Sequence, residues 1–149
     1  MKTDYRIPES ALTVVYNQSG QVLVMQRNDD PEFWQSVTGT LELGEKPCDT
    51  ARREVLEETG IDITQNHYQL VDCQKVNTYE IRDRWKYRYP PGTPFNTEHV
   101  FAVVVANEQK ISLTEHSAYL WLDKCSAMAK VWSDTNREAI SLYVPETNQ

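Results

Sequence analysis

The sequence predicts one domain in which helices pack on a β-sheet. Its 149 residues fit a single domain and are too few to divide comfortably in two. Strand and helix patterns are mixed without the regular alternation of a doubly wound parallel fold. The 40% hydrophobic and 25% charged residues are typical of soluble globular domains. We therefore expect a single α/β or α+β domain over residues 1–149.

The N-terminal part predicts a β-hairpin followed by further extended chain. Two apolar runs, "ALTVVY" (11–16) and "QVLVMQR" (21–27), flank the turn sequence "NQSG". β-Branched residues on both sides of a glycine-containing turn are typical of hairpins. "DDPEFW" then indicates a loop around Pro31, and "WQSVTGTLEL" (34–43) indicates extended structure.

A helix is predicted over residues 47–59. Pro47 suits the first helical turn, and Asp49 places negative charge near the N-terminus, where the helix dipole favours it. Gly60 suits the position just after the last helical residue, because glycine adopts the left-handed conformation at low cost. These three residues bracket the helix.

The second half predicts three strands and a final helix. "YQLVDCQKVNTYEI" (68–81) and "HVFAVVVAN" (99–107) are typical of long strands, and "AYLWLD" (118–123) of a shorter one. "SDTNREAISLYV" predicts a helix with Ser133 or Asp134 as its N-cap.

The net charge of −7 and pI near 4.9 argue against a nucleic-acid or membrane binder, because such proteins need positive potential to attract phosphate. The first residues contain no apolar signal-peptide core, and Cys48, Cys73 and Cys125 have no C-x-x-C spacing. We expect a cytoplasmic protein whose thiols are small core residues.

Three carboxylates share one face of the predicted helix. At 100° per residue, Glu54, Glu57 and Glu58 fall within an arc of about 100°. The small and apolar residues occupy a separate arc of about 80°: Cys48, Ala51, Val55 and Thr59. A solvated acidic surface is the simpler interpretation, but like charges at i,i+4 and anions in the last helical turn together cost about 1 kcal/mol. A bound Mg²⁺ would reverse the sign of that cost, because it prefers oxygen ligands.

The segment from Gly39 to Ile61 resembles the signature of the Nudix hydrolases, G-x5-E-x7-R-E-U-x-E-E-x-G-U, where U is aliphatic. Every position is present at the required spacing: Gly39, Glu45, Arg53, Glu54, Val55, Glu57, Glu58, Gly60 and Ile61. Seven fixed positions match by chance about once in 10⁸ placements. The resemblance implies an α/β/α sandwich, in which a mixed sheet is flanked by helices. It also implies an enzyme that cleaves a diphosphate linked to another group.

The resemblance also implies roles for the residues of this motif. Glu54, Glu57, Glu58 and the Gly39 carbonyl would hold Mg²⁺ or Mn²⁺, with Glu54, Glu57 and Arg53 in the catalytic machinery. Glu45 and Arg53 would brace the loop against the helix. The family uses a further carboxylate as metal ligand or base. We favour Glu115 for it, with Glu98 as the alternative, and we expect His99 and His116 to be polar residues at strand ends rather than ligands.

The motif does not select the substrate, which side chains elsewhere choose. The stretches "PEFWQSVTG", "RYPPG" with "NTEH", and "TEHSAYLWLD" resemble a bacterial branch of the family that hydrolyses dihydroneopterin triphosphate and dATP. This implies a small-molecule triphosphate substrate, contacted by Arg6, Arg27, Thr38, Tyr79, Glu80, Ile81 and Arg82. "WSDTN" departs from the pattern of that branch, so we assign no substrate contact to it.

Other functions stay open at this stage. One is a nucleoside triphosphate or dinucleoside polyphosphate pyrophosphatase, because purine and pterin rings share flat faces and hydrogen-bonding edges. Another is a non-catalytic nucleotide sensor, which would show a damaged motif. The sequence leaves open the oligomeric state, the number of metal ions and the identity of the general base.

Four cations occupy every second position in "RWKYRYPPG" and the two residues before it: Arg82, Arg84, Lys86 and Arg88. On extended chain they would point to one side, either as an arm that contacts phosphate or as a charged edge strand that resists aggregation. Trp34 and Trp132 are candidates for the core or for stacking on a substrate ring.

Overall fold

The structure is a computed structural model that describes residues 5–114 and 116–146, so the predicted ligand Glu115 lies outside the described residues. The elements are, in order, β1 (Glu9–Asn17), β2 (Val22–Arg27), β3 (Trp34–Gln35), β4 (Val37–Thr40), α1 (Pro47–Thr59), β5 (Leu70–Glu80), a 3₁₀ helix (Asp83–Arg88), β6 (Phe95–Val105), β7 (His116–Leu122), α2 (Lys124–Lys130) and α3 (Asp134–Tyr143). The strands and the two longer helices predicted from the sequence are all present.

The sheet divides where β1 and β2 separate. These strands lie side by side at the hairpin, with Tyr16 opposite Val22. Farther along, β3 pairs with β2 and β4 pairs with β1. Because β7 occupies the other side of β2 and β6 the other side of β1, β3 and β4 fill the gap between the diverging strands. β6 runs parallel to β1 and β5 antiparallel to β6, so the sheet is mixed.

Both faces of the sheet are covered by helices. Alternate side chains of a strand point to opposite faces, so β1 contributes to the packing on both. On one face, Leu12 and Val14 of β1 pack with residues of α2 and α3, including Ala127 and Ile140. On the other face, Val15 of the same strand packs in the cluster that includes Val55 of α1. The α/β/α sandwich is therefore confirmed.

Helix α1 ends as its sequence predicts. Gly60 adopts the left-handed conformation (φ 78°), and its N–H donates to the carbonyl of Leu56 at 2.9 Å. Ala51 and Val55 are fully buried. The acidic face is solvated only in part, because Glu57 is exposed whereas Glu58 is only 3% exposed.

The segment that carries the four alternating cations is not extended, so that prediction is wrong. It forms the 3₁₀ helix, in which Trp85 N–H donates to the carbonyl of Arg82 and Lys86 pairs with Asp83 at 2.9 Å. Local i,i+3 contacts of this kind favour a helical turn over a strand. The cations consequently do not share one side.

Two smaller features also differ from the sequence predictions. Helix α2 was not predicted; it has seven residues and begins at the N-cap Asp123, whose side chain accepts from Ser126 N–H. Cys125 on this helix is exposed, whereas Cys48 and Cys73 are half-buried, so the thiols are not core residues. Within the described part of the chain, no helix has the length and apolar composition needed to cross a membrane.

Candidate active site

Arg53 connects α1 with the loop before it. Its guanidinium donates twice to Glu45, at 2.8 Å each, and once to the carbonyl of Thr40 at 3.1 Å. It also contacts Glu54 at 2.6 Å and Glu57 at 3.2 Å. The hydrogen bonds from Arg53 lower the pKa of Glu45 to about 2. The brace between Glu45 and Arg53 that the resemblance implies is therefore present, and the same arginine orients two further carboxylates.

Glu54 lies directly against the backbone of β4. A β-carbon added at Gly39 would lie 2.1 Å from Glu54 Cδ and 2.5 Å from its Oε2. No side chain fits at that distance, so the glycine lets the carboxylate pack on the strand. Gly39, the first residue of the motif, is therefore in direct contact with Glu54.

Glu58 points into a different environment from Glu54. Its side chain is buried, and one oxygen lies 3.6 Å from His116 Nε2. Burial, together with the charge of Arg27, lowers the pKa of His116 and so favours the neutral imidazole. His116 is the first residue of β7, as expected for a strand end, but it also reaches the carboxylates of α1, which the sequence did not predict.

The segment around Glu115 is attached to the same helix. Thr114 Oγ1 donates to the carbonyl of Glu57 at 2.7 Å, and His116 lies beside Glu58. Ser112 N–H donates to the carbonyl of Thr59 at 2.8 Å. The described residues on both sides of Glu115 therefore contact the C-terminal turns of α1.

The three carboxylates of α1 do not converge on one point. Among the residues that the structure describes, no group of three acidic, histidine or cysteine side chains is arranged to hold a metal ion. Arg53 holds Glu54 and Glu57, whereas Glu58 faces the interior. The donor chemistry nevertheless fits a hard divalent cation, since α1 offers three carboxylates, one of which packs on the glycine backbone of β4, and such ions prefer oxygen.

A cavity of about 680 Å³ is lined by Glu58, by residues of the sheet and by the start of α3. It reaches Gly39, Glu58 and His116. Trp85 and Trp132 also line it. Every residue predicted to contact substrate lines this cavity: Arg6, Arg27, Thr38, Tyr79, Glu80, Ile81 and Arg82. Arg53, Glu54 and Glu57 do not line it.

Aromatic rings form one wall of the cavity. Trp132 stacks on Phe33, with centroids 4.9 Å apart and planes 16° from parallel, and Trp85 meets both rings edge-on. The Arg82 guanidinium lies 4.8 Å from the Trp132 ring and the Arg27 guanidinium 4.9 Å from the Trp85 ring. Trp34 belongs instead to the packing around the core.

The 3₁₀ helix is tied to the loop after β2. Arg84 pairs with Asp30 at 2.8 Å, and Arg88 reaches Asp29 at 3.4 Å. Arg27 also pairs with Asp29 and lowers the pKa of that carboxyl to about 2. Of the four cations in this segment, Arg82 and Arg88 line the cavity, whereas Arg84 and Lys86 do not.

The start of α3 lines the cavity as well, although no substrate contact was expected from "WSDTN". Asn136 is buried and bonds Ser36 twice: its Oδ1 accepts from Ser36 N–H at 2.8 Å and its Nδ2 donates to Ser36 Oγ at 2.9 Å. These bonds hold α3 at the break between β3 and β4. The N-cap pattern at Ser133 predicts the helix but does not indicate what lies opposite it.

Comparison with known proteins agrees with this geometry. The NUDIX domain model matches residues 6–142. The dihydroneopterin triphosphate diphosphatase of Escherichia coli K12 is 45% identical over 141 residues, which cover 94% of each chain. The enzyme of the same description from Haemophilus influenzae is 40% identical over 141 residues, covering 94% of this chain and 89% of the relative.

Solved structures extend the comparison to the fold. The structure of the E. coli dihydroneopterin triphosphate pyrophosphohydrolase superposes with a TM-score of 0.91 at 45% identity, covering 95% of this chain and 98% of that one. A C. elegans Ap4A hydrolase superposes with a TM-score of 0.69 at 18% identity, covering 91% and 93%, which shows a common fold. The motif on α1, the match over residues 6–142 and the shared architecture establish that this chain belongs to the Nudix family.

Proposed function

We propose that this protein is a metal-dependent pyrophosphohydrolase that cleaves dihydroneopterin triphosphate to dihydroneopterin monophosphate and pyrophosphate. The observation that carries the proposal is the cavity that joins Gly39 and Glu58 to an aromatic wall. The similarity to enzymes described as dihydroneopterin triphosphate diphosphatases extends over nearly the whole chain. It therefore includes the strands and loops that line the cavity, not only the motif.

Glu54, Glu57 and Glu58, with the Gly39 carbonyl, are the proposed ligands of a divalent cation, Mg²⁺ or Mn²⁺. Glu115 is the proposed additional ligand; its described neighbours, Thr114 and His116, both contact α1, which supports the choice. The cation would polarise phosphoryl oxygens and offset negative charge as water attacks phosphorus.

Arg53 is proposed to keep the carboxylates ionised and oriented. It contacts Glu45, Glu54 and Glu57 within 3.2 Å, and a neighbouring cation favours the charged form of a carboxyl group. Glu45 also accepts a hydrogen bond from Thr50 at 2.6 Å, which fixes the carboxylate that receives two hydrogen bonds from Arg53. Glu54 and Glu57 can then act on water with defined orientation.

The cavity contains four arginines that can contact a polyphosphate, in a protein of net charge −7. Arg6, Arg27, Arg82 and Arg88 all line it. Arginine binds phosphate oxygens through a planar fork of N–H donors, and the Thr38 hydroxyl, beside Gly39, can donate one more hydrogen bond. The aromatic wall suits a flat ring, because base-sized π systems stack on tryptophan.

Hydrolysis of a substrate panel with Mg²⁺ tests the proposal. The panel contains dihydroneopterin triphosphate, dATP, 8-oxo-dGTP and a dinucleoside tetraphosphate, and the readouts are kcat/KM and released pyrophosphate. We expect the highest kcat/KM for dihydroneopterin triphosphate, with pyrophosphate as product. A kcat/KM more than about tenfold higher for any nucleotide than for dihydroneopterin triphosphate would contradict the pterin assignment. The protein would then be a pyrophosphatase of that nucleotide.

A further inference from the structure

Glu98 is a buried carboxylate in the wall of the cavity. It is 5% exposed and lies on β6 between Ser10 of β1 and Asn77 of β5. Its side chain shares a face of the sheet with Val100, which packs in the cluster of α2 and α3. The cavity reaches it on this face.

The environment of Glu98 leaves hydrogen-bonding capacity for a ligand. Asn77 Nδ2 donates to Oε1 at 3.3 Å, and the Thr135 hydroxyl donates a second bond. An ionised carboxylate offers about four acceptor positions, so these two donors do not saturate it. Burial raises the pKa of Glu98, because a desolvated charge is disfavoured. Further N–H donors would stabilise the charged form.

Glu98 is separated from the carboxylates of α1. Phe101, on the opposite face of β6, packs with Ala51 of that helix, whereas Glu98 points to the other side of the sheet. Among the described residues, Glu98 joins no group of three potential metal ligands. Glu98 therefore faces away from the side of β6 that packs on α1.

Glu98 and the aromatic wall line the same cavity. Thr135, its hydrogen-bond donor, follows Trp132 by three residues, and all three side chains line the cavity. A ring stacked on tryptophan presents its edge to neighbouring polar groups. Glu58 and Glu98 are the buried acidic residues among the described residues that line the cavity, and Glu98 is the one bonded to Thr135.

Ring chemistry distinguishes the possible ligands. A 2-amino-4-oxo pyrimidine edge, as in pterin or guanine, carries two adjacent N–H donors, and one carboxylate can accept both. The corresponding edge of adenine carries one donor and one acceptor, which a carboxylate cannot satisfy fully. We propose that Glu98 is the specificity-determining residue that accepts the paired N–H donors of the pterin ring, an inference that rests on the proposed function.

The test compares wild type with Glu98→Gln on dihydroneopterin triphosphate, dGTP and dATP. The introduced amide donates as well as accepts, so it matches the adenine edge and mismatches the other two. We expect kcat/KM to fall about 10- to 100-fold for dihydroneopterin triphosphate and dGTP. For dATP it should not fall, since the amide supplies the donor and the acceptor that the adenine edge requires.

A second readout separates ring recognition from catalysis. Binding of 7,8-dihydroneopterin, which has no phosphate, is measured by calorimetry in EDTA. The expected result is weaker binding to Glu98→Gln and to Glu98→Asp, which keeps the charge but withdraws it from the ring. Glu108→Gln, the same charge change on an exposed turn, is the control and should match wild type.

The outcomes distinguish this inference from the proposed function. An equal loss on all three triphosphates, with unchanged dihydroneopterin binding, would assign Glu98 to catalysis and overturn the inference. Wild type that hydrolyses nucleotides but not dihydroneopterin triphosphate would overturn the proposed function, and the dGTP to dATP ratio would still report on Glu98. A lower Tm with unchanged substrate ratios would show a structural role only, which also contradicts the inference.

Discussion

Glu54 packs on Gly39 so closely that a β-carbon at residue 39 would lie 2.1 Å from Glu54 Cδ. Because residue 39 has no side chain, helix α1 can pack closely on strand β4 at the proposed metal site. Arg53 contacts the same carboxylate at 2.6 Å from the other side. Glu54 thus has little freedom to move.

Gly39→Ala should displace Glu54 while the fold survives, because the obstacle is a side chain rather than backbone. We expect kcat to fall about 10- to 100-fold, since small misplacements of catalytic groups are costly, with a small change in Tm. Steady-state kinetics and thermal denaturation measure the two effects. Gly20→Ala is the control: Gly20 has φ 81° in the distant hairpin turn, so this variant should lower Tm and leave kcat unchanged.

Low pH should destabilise the folded protein in part through protonation of Glu45. Its folded-state pKa of about 2 lies below the ordinary value of 4.5, so its ionised form stabilises the folded state above pH 4.5. That stabilisation is lost as pH falls from 4.5 towards 2. Thermal denaturation across this range should show a shallower loss of Tm for Glu45→Gln than for wild type. Glu42→Gln, whose side chain is 69% exposed and 3.7 Å from Arg53, should follow wild type; equal slopes for all three proteins would contradict this role of Glu45.

Glu58→Gln should lower kcat by at least about 100-fold with little loss of stability. The amide has nearly the same volume as the carboxylate in its buried site, but it removes the negative charge offered to a cation. Kinetics with Mg²⁺ and calorimetric titration with Mn²⁺ check the prediction, and weaker Mn²⁺ binding should accompany the lower rate. A near wild-type rate would remove Glu58 from the proposed metal site.

Two neighbouring arginines should behave differently. Arg82 lines the cavity beside Trp132, whereas Arg84 pairs with Asp30 outside it. Arg82→Gln should raise KM for the triphosphate by about tenfold, because charged hydrogen bonds contribute about 1.5 to 3 kcal/mol. Arg84→Gln removes the same charge and should raise KM less than about threefold, since surface ion pairs contribute little. Similar KM values for both variants would contradict a phosphate contact specific to Arg82.

Local patterns were sufficient for most of the fold and for the motif. Residues 47–59 form a helix because Pro47 and Gly60 favour its two ends, and these preferences act within a few residues. The spacing of Glu45, Arg53 and Glu54 likewise lies within nine positions, so a sequence pattern captures it. By contrast, the alternation of Arg82, Arg84, Lys86 and Arg88 suggested a strand, and contacts at i,i+3 produced a 3₁₀ helix instead.

The remaining features depend on residues that are distant in the chain. Asn136 bonds Ser36 across 100 positions, and Thr135 bonds Glu98, so neither partner is visible from the other's neighbourhood. Burial distinguishes the exposed Glu57 from the buried Glu58 although they are adjacent in one motif. Residue type and short-range spacing specified the helices, the strands and the chemistry of the motif. Packing of the two helical layers on a split sheet specified the cavity, because solvent exclusion and hydrogen-bond partners arise only when remote segments meet.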